Sequence, residues 1–343
     1  MKFEELKKYQ EIILELDRKK RVKHLLFGNG FSMSYDPSIF SYNALSTFIE
    51  KIDDELLKKL FGKLNTKNFE LIMQYLDNFA EIAEIFSTDT ALADKIKGAS
   101  EKLKTSLIDA VKELHPEHVF TIPEAKSKAC FKFLEDYLSN HGNVFSTNYD
   151  LLLYWVLMRN ESAKAVDGFG RDALNSSEYS ELRWGKYKNS QTIYYLHGTL
   201  PIFDTGIDII KEEYDNHHYL LDNIKLRMQK KEYPIFVTAG NAVEKLTHIM
   251  HNKYLLYCFD TLSAIEGSLI TFGFNFGDYD THIIDAINTA AHQGKKDTDK
   301  RLWSIYIGVY SETDLKHIEG LVNSKKIKCK VTPYNARTAN IWE

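Results

Sequence analysis

Cysteine is scarce in this chain. The 343 residues hold three, Cys130, Cys258 and Cys329, and no two stand close enough for a CxxC knuckle. That argues against a disulfide framework and against a zinc site built from four cysteines, and it fits a reducing compartment. An excess of one charge is also missing. Against 48 Asp+Glu there are 44 Lys+Arg, a net charge of −4, so no basic field offers itself for direct nucleic-acid binding. No apolar run is long enough to span a bilayer, so no membrane partner is expected. The opening segment MKFEELKKYQEIILELDRKK is charged throughout and lacks the apolar core of a signal peptide. Together these absences predict a cytoplasmic protein. The basic run Lys19, Lys20, Arg21 and Lys23 reads as a solvated helix end, where cations suit the negative pole of the helix dipole. There is no internal repeat and no low-complexity tract.

What is present is an ordinary apolar and charged content, 44% and 27%, on a length that can bury a sizeable core. Phe3, Leu6, Ile13 and Leu16 give residues 2–20 a helical pattern, Val22 to Phe27 reads as a strand, and a further helix is expected from about Ala44 to Ile52. Residues 53–140 differ, with almost no Gly or Pro and helical periodicity throughout. Phe69, Ile72, Met73, Leu76, Phe79, Ala83 and Phe86 form one apolar face and Leu103, Leu107, Val111 and Leu114 another, most simply packing surfaces. Strands and helices then alternate. Strands are expected at Asn143 to Ser146, Thr192 to Leu196, Pro234 to Thr238, Ser268 to Phe272, Leu302 to Val309 and Ile327 to Val331. Helices are expected at Tyr149 to Met158, near 242–251 and 253–265, at Thr281 to His292 and near 312–322. This alternation predicts an α/β fold: a Rossmann-like parallel sheet covered by helices on both faces, built from residues 1–52 and 141–343, with a helical insertion at 53–140.

Four short segments stand at the ends of expected strands: Gly28-Asn29-Gly30-Phe31-Ser32, Ser146-Thr147-Asn148-Tyr149-Asp150, His197-Gly198, and Gly273 to Asp278. Open α/β sheets bind ligands at that carboxyl edge. Glycines after a buried strand let backbone approach a pyrophosphate, and Ser32 adds a hydroxyl donor; a tight structural turn explains the same glycines equally well. The segment is neither GxGxxG nor GxxxxGK[ST], which weakens hydride-transfer and kinase-like readings. Thr147 or Asn148 could cap the following helix, and Asp150 suits its first turn, yet an amide beside a carboxylate at this edge also suits a site. His197 at a strand end can act as a general base, whereas a lone histidine is more often structural. None of the other eleven histidines has that setting. His248 and His251 share a helix face, but no acidic or cysteine partner accompanies them, and no metal is expected. Gly273 and Asn275 could close around a ribose or adenine, while Asp278 or Asp280 could cap the helix at Thr281.

The order of these segments resembles the sirtuin fold, and more closely the sirtuin-like (SIR2-like) NADases of bacterial antiphage defence. The sirtuin Gly-Ala-Gly-x-Ser is matched by Gly28 to Ser32, the Gln-Asn-Ile-Asp by Thr147 to Asp150, and the His-Gly by His197 and Gly198. The likeness covers about 22–52 and 141–310. Two features of deacetylating sirtuins are absent: the paired zinc cysteines after His-Gly, and the Phe-Gly-Glu strand of the acyl-lysine groove, where this chain has Pro234 to Asn241. The resemblance implies an NAD+ hydrolase without a zinc module. Asn148 would hold ribose or the attacking water, and His197 would be the base. Asp150 would bind the carboxamide or orient the site. Gly28, Asn29, Gly30, Phe31, Ser32, Thr147, Gly273 and Asn275 would complete the dinucleotide site. It further implies a homo-oligomer held inactive until infection, in some relatives with a HerA-type ATPase partner. A different class of reading is a binding module that senses NAD+ or an ADP-ribose-type signal and gates a partner without turnover.

Overall fold

The computed structural model describes residues 2–37, 55–64, 69–86, 90–114, 118–171, 181–214, 218–230, 232–237, 242–292 and 301–343. The helix expected from Ala44 to Ile52 lies outside them, as does Thr238 at the end of the strand expected from Pro234.

Twelve strands fall into two sheets among the described residues. In chain order they are β1 (Lys7–Lys8), β2 (Lys23–Phe27), β3 (Val144–Ser146), β4 (Phe169–Gly170), β5 (Leu182–Trp184), β6 (Ile193–Tyr195), β7 (Gly198–Asp204), β8 (Ile209–Lys211), β9 (Pro234–Phe236), β10 (Gly267–Phe272), β11 (Leu302–Val309) and β12 (Lys330–Asn335). The larger sheet has the order β1-β12-β11-β10-β2-β3-β6, and every pairing in it is parallel. Its central strands are buried on both faces, which is why they read as unbroken apolar runs: β2 contributes Leu25, Leu26 and Phe27, and β10 contributes Leu269, Ile270 and Phe272. Helices supply the cover. Tyr9–Arg18 buries Tyr9, Ile12, Ile13 and Leu16 at helical spacing, each apolar side chain contributing roughly 1.5–3 kcal/mol. Lys253–Ser263 begins where Asn252 Oδ1 accepts the N–H groups of Tyr254 and Leu255 at 3.0 and 3.1 Å, a side-chain N-cap.

The expected parallel α/β sheet is therefore present, and four expectations need correction. Pro234–Phe236 is not part of it. It lies at the edge of a second, five-stranded sheet, order β4-β5-β8-β7-β9, whose pairings are antiparallel. Those strands are two to seven residues long, too short to show a period in sequence. Residues 2–20 are not one helix: a 3-10 turn at Phe3–Glu5 and strand β1 precede Tyr9–Arg18. The last strand is Lys330–Asn335 rather than Ile327 to Val331. Lys23 is not at a solvated helix end; it is 1% exposed within β2 and ion-paired to Asp17.

The stretch 53–140 is helical, with helices Glu55–Leu64, Phe69–Phe86, Thr90–Leu114 and Glu124–Leu138. The last of these packs on β2 and β3 and belongs with the parallel sheet. Among the described side chains of Phe69–Phe86, Ile72, Leu76 and Ala80 are buried, while Phe79 and Phe86 are exposed. The face expected to pack took in both exposed rings and was drawn too wide; the burial of Phe69 and Met73 lies outside the described residues.

Candidate active site

The four glycine, amide and histidine segments follow β2, β3, β6 and β10, and these strands are neighbours in the order β10-β2-β3-β6. From β2 the chain continues to β3 on one side and returns as β10 on the other, so β2 is the topological switch point where α/β sheets open a crevice. All four segments thus leave one continuous carboxyl edge.

After β2, Gly28 caps a short helix, Asn29–Tyr35. Gly30 N–H donates to the Gly273 carbonyl at 2.9 Å and Gly28 N–H to the Phe272 carbonyl at 3.2 Å. A Cβ on Gly30 would stand 2.5 Å from Gly273 Cα, so the two glycine loops touch backbone to backbone. Phe31 does not face the edge. Its ring is buried, stacked on Phe27 at 4.2 Å and tilted against Trp342 at 5.1 Å, and it anchors the loop rather than lining a site.

Ser32 is fully buried. Its Oγ donates to Asp150 Oδ2 at 2.6 Å and accepts from Asn148 Nδ2 at 2.9 Å. A hydroxyl has one hydrogen, and the carboxylate takes it, so Asn148 must present its NH2 to Ser32 and turn its oxygen away. This corrects the expectation that Ser32 donates to a pyrophosphate. Asp150 has its other oxygen on the Leu152 N–H at 3.0 Å, opening the helix Leu152–Asn160. Asp150 thus holds Ser32, and Ser32 holds Asn148. The Asn148 hydrogen bonds among the described residues run through its Nδ2 and its backbone groups and leave Oδ1 out. Thr147 Oγ1 turns back to the Phe27 carbonyl at 3.3 Å. Asn275 is exposed, with its backbone carbonyl accepting from His317.

His197 sits where the chain leaves β6 of one sheet and enters β7 of the other. Its carbonyl accepts the Val237 N–H at 2.7 Å. Gly198 follows at φ +73, with a virtual Cβ 1.9 Å from the Ile235 carbonyl oxygen, so only glycine fits the crossing. The Thr147 backbone, next to Asn148, lies beside the His197 ring and favours its charged form. Amide and imidazole therefore follow adjacent strands of the sheet.

A second histidine, which the sequence reading did not place here, stands against His197. His282, on helix Thr281–His292, places Nε2 2.9 Å from His197 Nε2, with the rings stacked at 5.2 Å. Asp280 and Lys245 complete the cluster through an ion pair of 2.7 Å, largely buried. None of these three was expected in the site from sequence. The available signal was Asp280-Thr281-His282 opening the helix after β10, at the same edge as the other segments. Asp280 pairs with Lys245 and Asp278 is exposed, close to Lys326 Nζ at 3.3 Å. His197, Asp280 and His282 offer ligand atoms within 4.8 Å of one another. The cation beside Asp280 is already the Lys245 ammonium, and 2.9 Å between the two Nε2 atoms is closer than two nitrogens each about 2 Å from a tetrahedral zinc can stand. A structural zinc does not fit this arrangement. The second histidine pair, His248 and His251, has no place in the cluster of ligand atoms.

Burial, reinforced by His282 and Lys245, holds His197 well below the ordinary histidine range. Burial lowers His282 to about 4, opposed by Asp280. His24 is lowered to about 4 by burial as well; its Nε2 bonds the Glu266 carbonyl and its Nδ1 accepts the Asn143 N–H. Such depressed values mean that the unfolded chain binds more protons than the folded one between about pH 6.5 and 4, so stability falls as pH falls through that window. A shift to about 4 from 6.5 for His24 corresponds to a loss on the order of 3 kcal/mol once acidification is complete. Denaturant titrations at pH 7 and 4.5 are expected to show this loss, and His24→Gln is expected to make it smaller; equal stability at the two pH values would contradict the burial argument.

The sequence matches the family described as a domain of unknown function, DUF4917, over residues 25–342, and the chain belongs to that family. Comparison with curated proteins gives no match. No helix among the described residues is long and apolar enough to cross a membrane.

Proposed function

We propose that this DUF4917 chain is an NAD+ glycohydrolase, cleaving the nicotinamide–ribose bond with water to give nicotinamide and ADP-ribose. The observation that carries the reading is the placement of Asn148 and His197 directly after the adjacent strands β3 and β6, beside the switch-point glycines. The resemblance to sirtuin-like NADases adds the substrate. Nicotinamide leaves as a neutral molecule once the cationic C–N bond breaks, so no strong acid is needed. The work left to the protein is to hold an oxocarbenium-like ribose, place water against it and take the proton that water releases. Asn148, with its NH2 pinned by Ser32, offers Oδ1 to a ribose hydroxyl or the attacking water. The imidazole at His197 supplies the basic side of the site. Asp150 orients from behind. The proposal includes the antiphage role of the resembled enzymes, depletion of NAD+ by a homo-oligomer, with a HerA-type ATPase as a candidate partner.

Incubation of the purified chain with NAD+, alone and with a candidate ATPase, should release nicotinamide and ADP-ribose in equal amounts. Binding of NAD+ with no product at enzyme excess would replace this reading with that of a sensor. Because Lys245 already neutralises Asp280, a chelator is expected to leave turnover unchanged; loss of turnover restored by zinc would reverse the argument against a metal.

A further inference from the structure

The histidine pair has a direction. The Nε2 atoms of His197 and His282 stand 2.9 Å apart, so one carries the hydrogen between them and the other accepts it. Among the described residues the buried His282 Nδ1 has no hydrogen-bond partner. An orphaned N–H is rarer in a folded protein than an unmatched acceptor, so His282 carries its hydrogen on Nε2, donates it to His197, and leaves Nδ1 bare. Few buried polar atoms in a folded protein lack a partner, and this one lies on the ring that touches the expected base.

We propose that His282 Nδ1, rather than His197 Nε2, is the atom that accepts the proton from the ribose hydroxyl or the attacking water, with His197 as the positioning residue that holds His282 in the accepting tautomer. The proposal rests on the NADase reading and changes which imidazole carries the proton. The O–H bond of water or ribose breaks, an N–H bond forms at His282 Nδ1, and the Nε2–H donated to His197 stays in place. The positive charge then rests beside Asp280. The groups facing His197 are His282, Lys245 and His248, which oppose a charge there, and Asp280, whose carboxylate lies within 4.8 Å of both rings. Those facing His282 are His197, Lys245 and Asp280, the last of which favours it.

His282→Gln is the discriminating variant. A glutamine amide reaches roughly where Nε2 was and can donate to His197, but nothing replaces the base at Nδ1. It is expected to lower kcat about 100-fold, the low end for general-base loss, with the KM for NAD+ little changed. Its residual rate should climb with pH as hydroxide substitutes, whereas the unaltered protein should hold a flat profile through neutral pH and lose rate toward pH 4 as the pair protonates. A His282→Gln variant with turnover within about threefold of the parent and the same pH profile would overturn the proposal. A second measurement does not depend on activity. Ring nitrogen NMR of histidine-labelled protein should show His282 protonated at Nε2 and bare at Nδ1, and Nδ1 of His282 taking the first proton on acidification. First protonation at His197 would overturn the assignment even in a protein with no turnover, whereas absence of turnover with this NMR pattern intact would reject the NADase reading alone.

Discussion

Asn148→Ala is expected to lower nicotinamide release from NAD+ by about 100-fold or more, the cost of deleting a preorganised polar group at a developing charge. His197→Ala should fall in the same range, since it removes the acceptor that holds His282 in register. The fold should survive both. Removing the Asn148 amide leaves Ser32 still donating to Asp150, with only a hydroxyl lone pair unmatched, a loss of about 1 kcal/mol. Asn148→Asp is a more informative partner. Its carboxylate would face a Ser32 oxygen whose single hydrogen is already given to Asp150. Two carboxylates would then compete for one hydrogen in a buried setting, so this variant should lose activity as fully as Ala and also stability. Product analysis together with thermal unfolding separates the two effects. Turnover unchanged in both alanine variants would remove the amide and the imidazole from the chemistry.

The elements that could be read from sequence are those whose signal is local. Thr281–His292 and Leu302–Val309 lie where expected because each is a single uninterrupted period between clear stops. The placement of the four segments after β2, β3, β6 and β10 was legible because a glycine, amide or imidazole directly follows a buried run. The second sheet was not legible. Its strands are short and antiparallel, and their partners are separated by loops, so no window shows alternation. Ser32 misled for a related reason: a hydroxyl in a glycine loop suggests a phosphate donor, and only the approach of Asp150 from 118 residues away consumes its hydrogen. Lys245, Asp280 and His282 escaped because a lysine on an amphipathic helix and an acid at a helix start each have an ordinary explanation alone. What makes them a cluster is the packing of Ala242–His251 on the turn before Thr281–His292.

Gly30→Ala carries the largest expected effect on the fold, and it tests whether the edge is one unit. The added methyl would lie 2.5 Å from Gly273 Cα and 3.1 Å from its carbonyl oxygen, both backbone atoms with no rotamer to yield. Gly273 is held at φ +61, a region where other residues are strained, so the loop after β10 cannot easily re-form elsewhere. The hydrogen bond from Gly30 N–H to the Gly273 carbonyl would stretch or break with the displacement. Overpacking against backbone costs about 3 kcal/mol or more, and the same shift would move Ser32, two residues on, away from Asn148 and Asp150. Stability and turnover should therefore fall together, although residue 30 bears no reacting group. Gly98→Ala is the control. Gly98 lies within the helix Thr90–Leu114 with no atom within 4 Å of a virtual Cβ, so alanine should be neutral or raise stability by up to about 1 kcal/mol and leave turnover alone. If Gly30→Ala melted like the parent and kept its turnover, the loops after β2 and β10 would be independent of each other, and the glycines would have to be explained by a ligand rather than by their mutual contact.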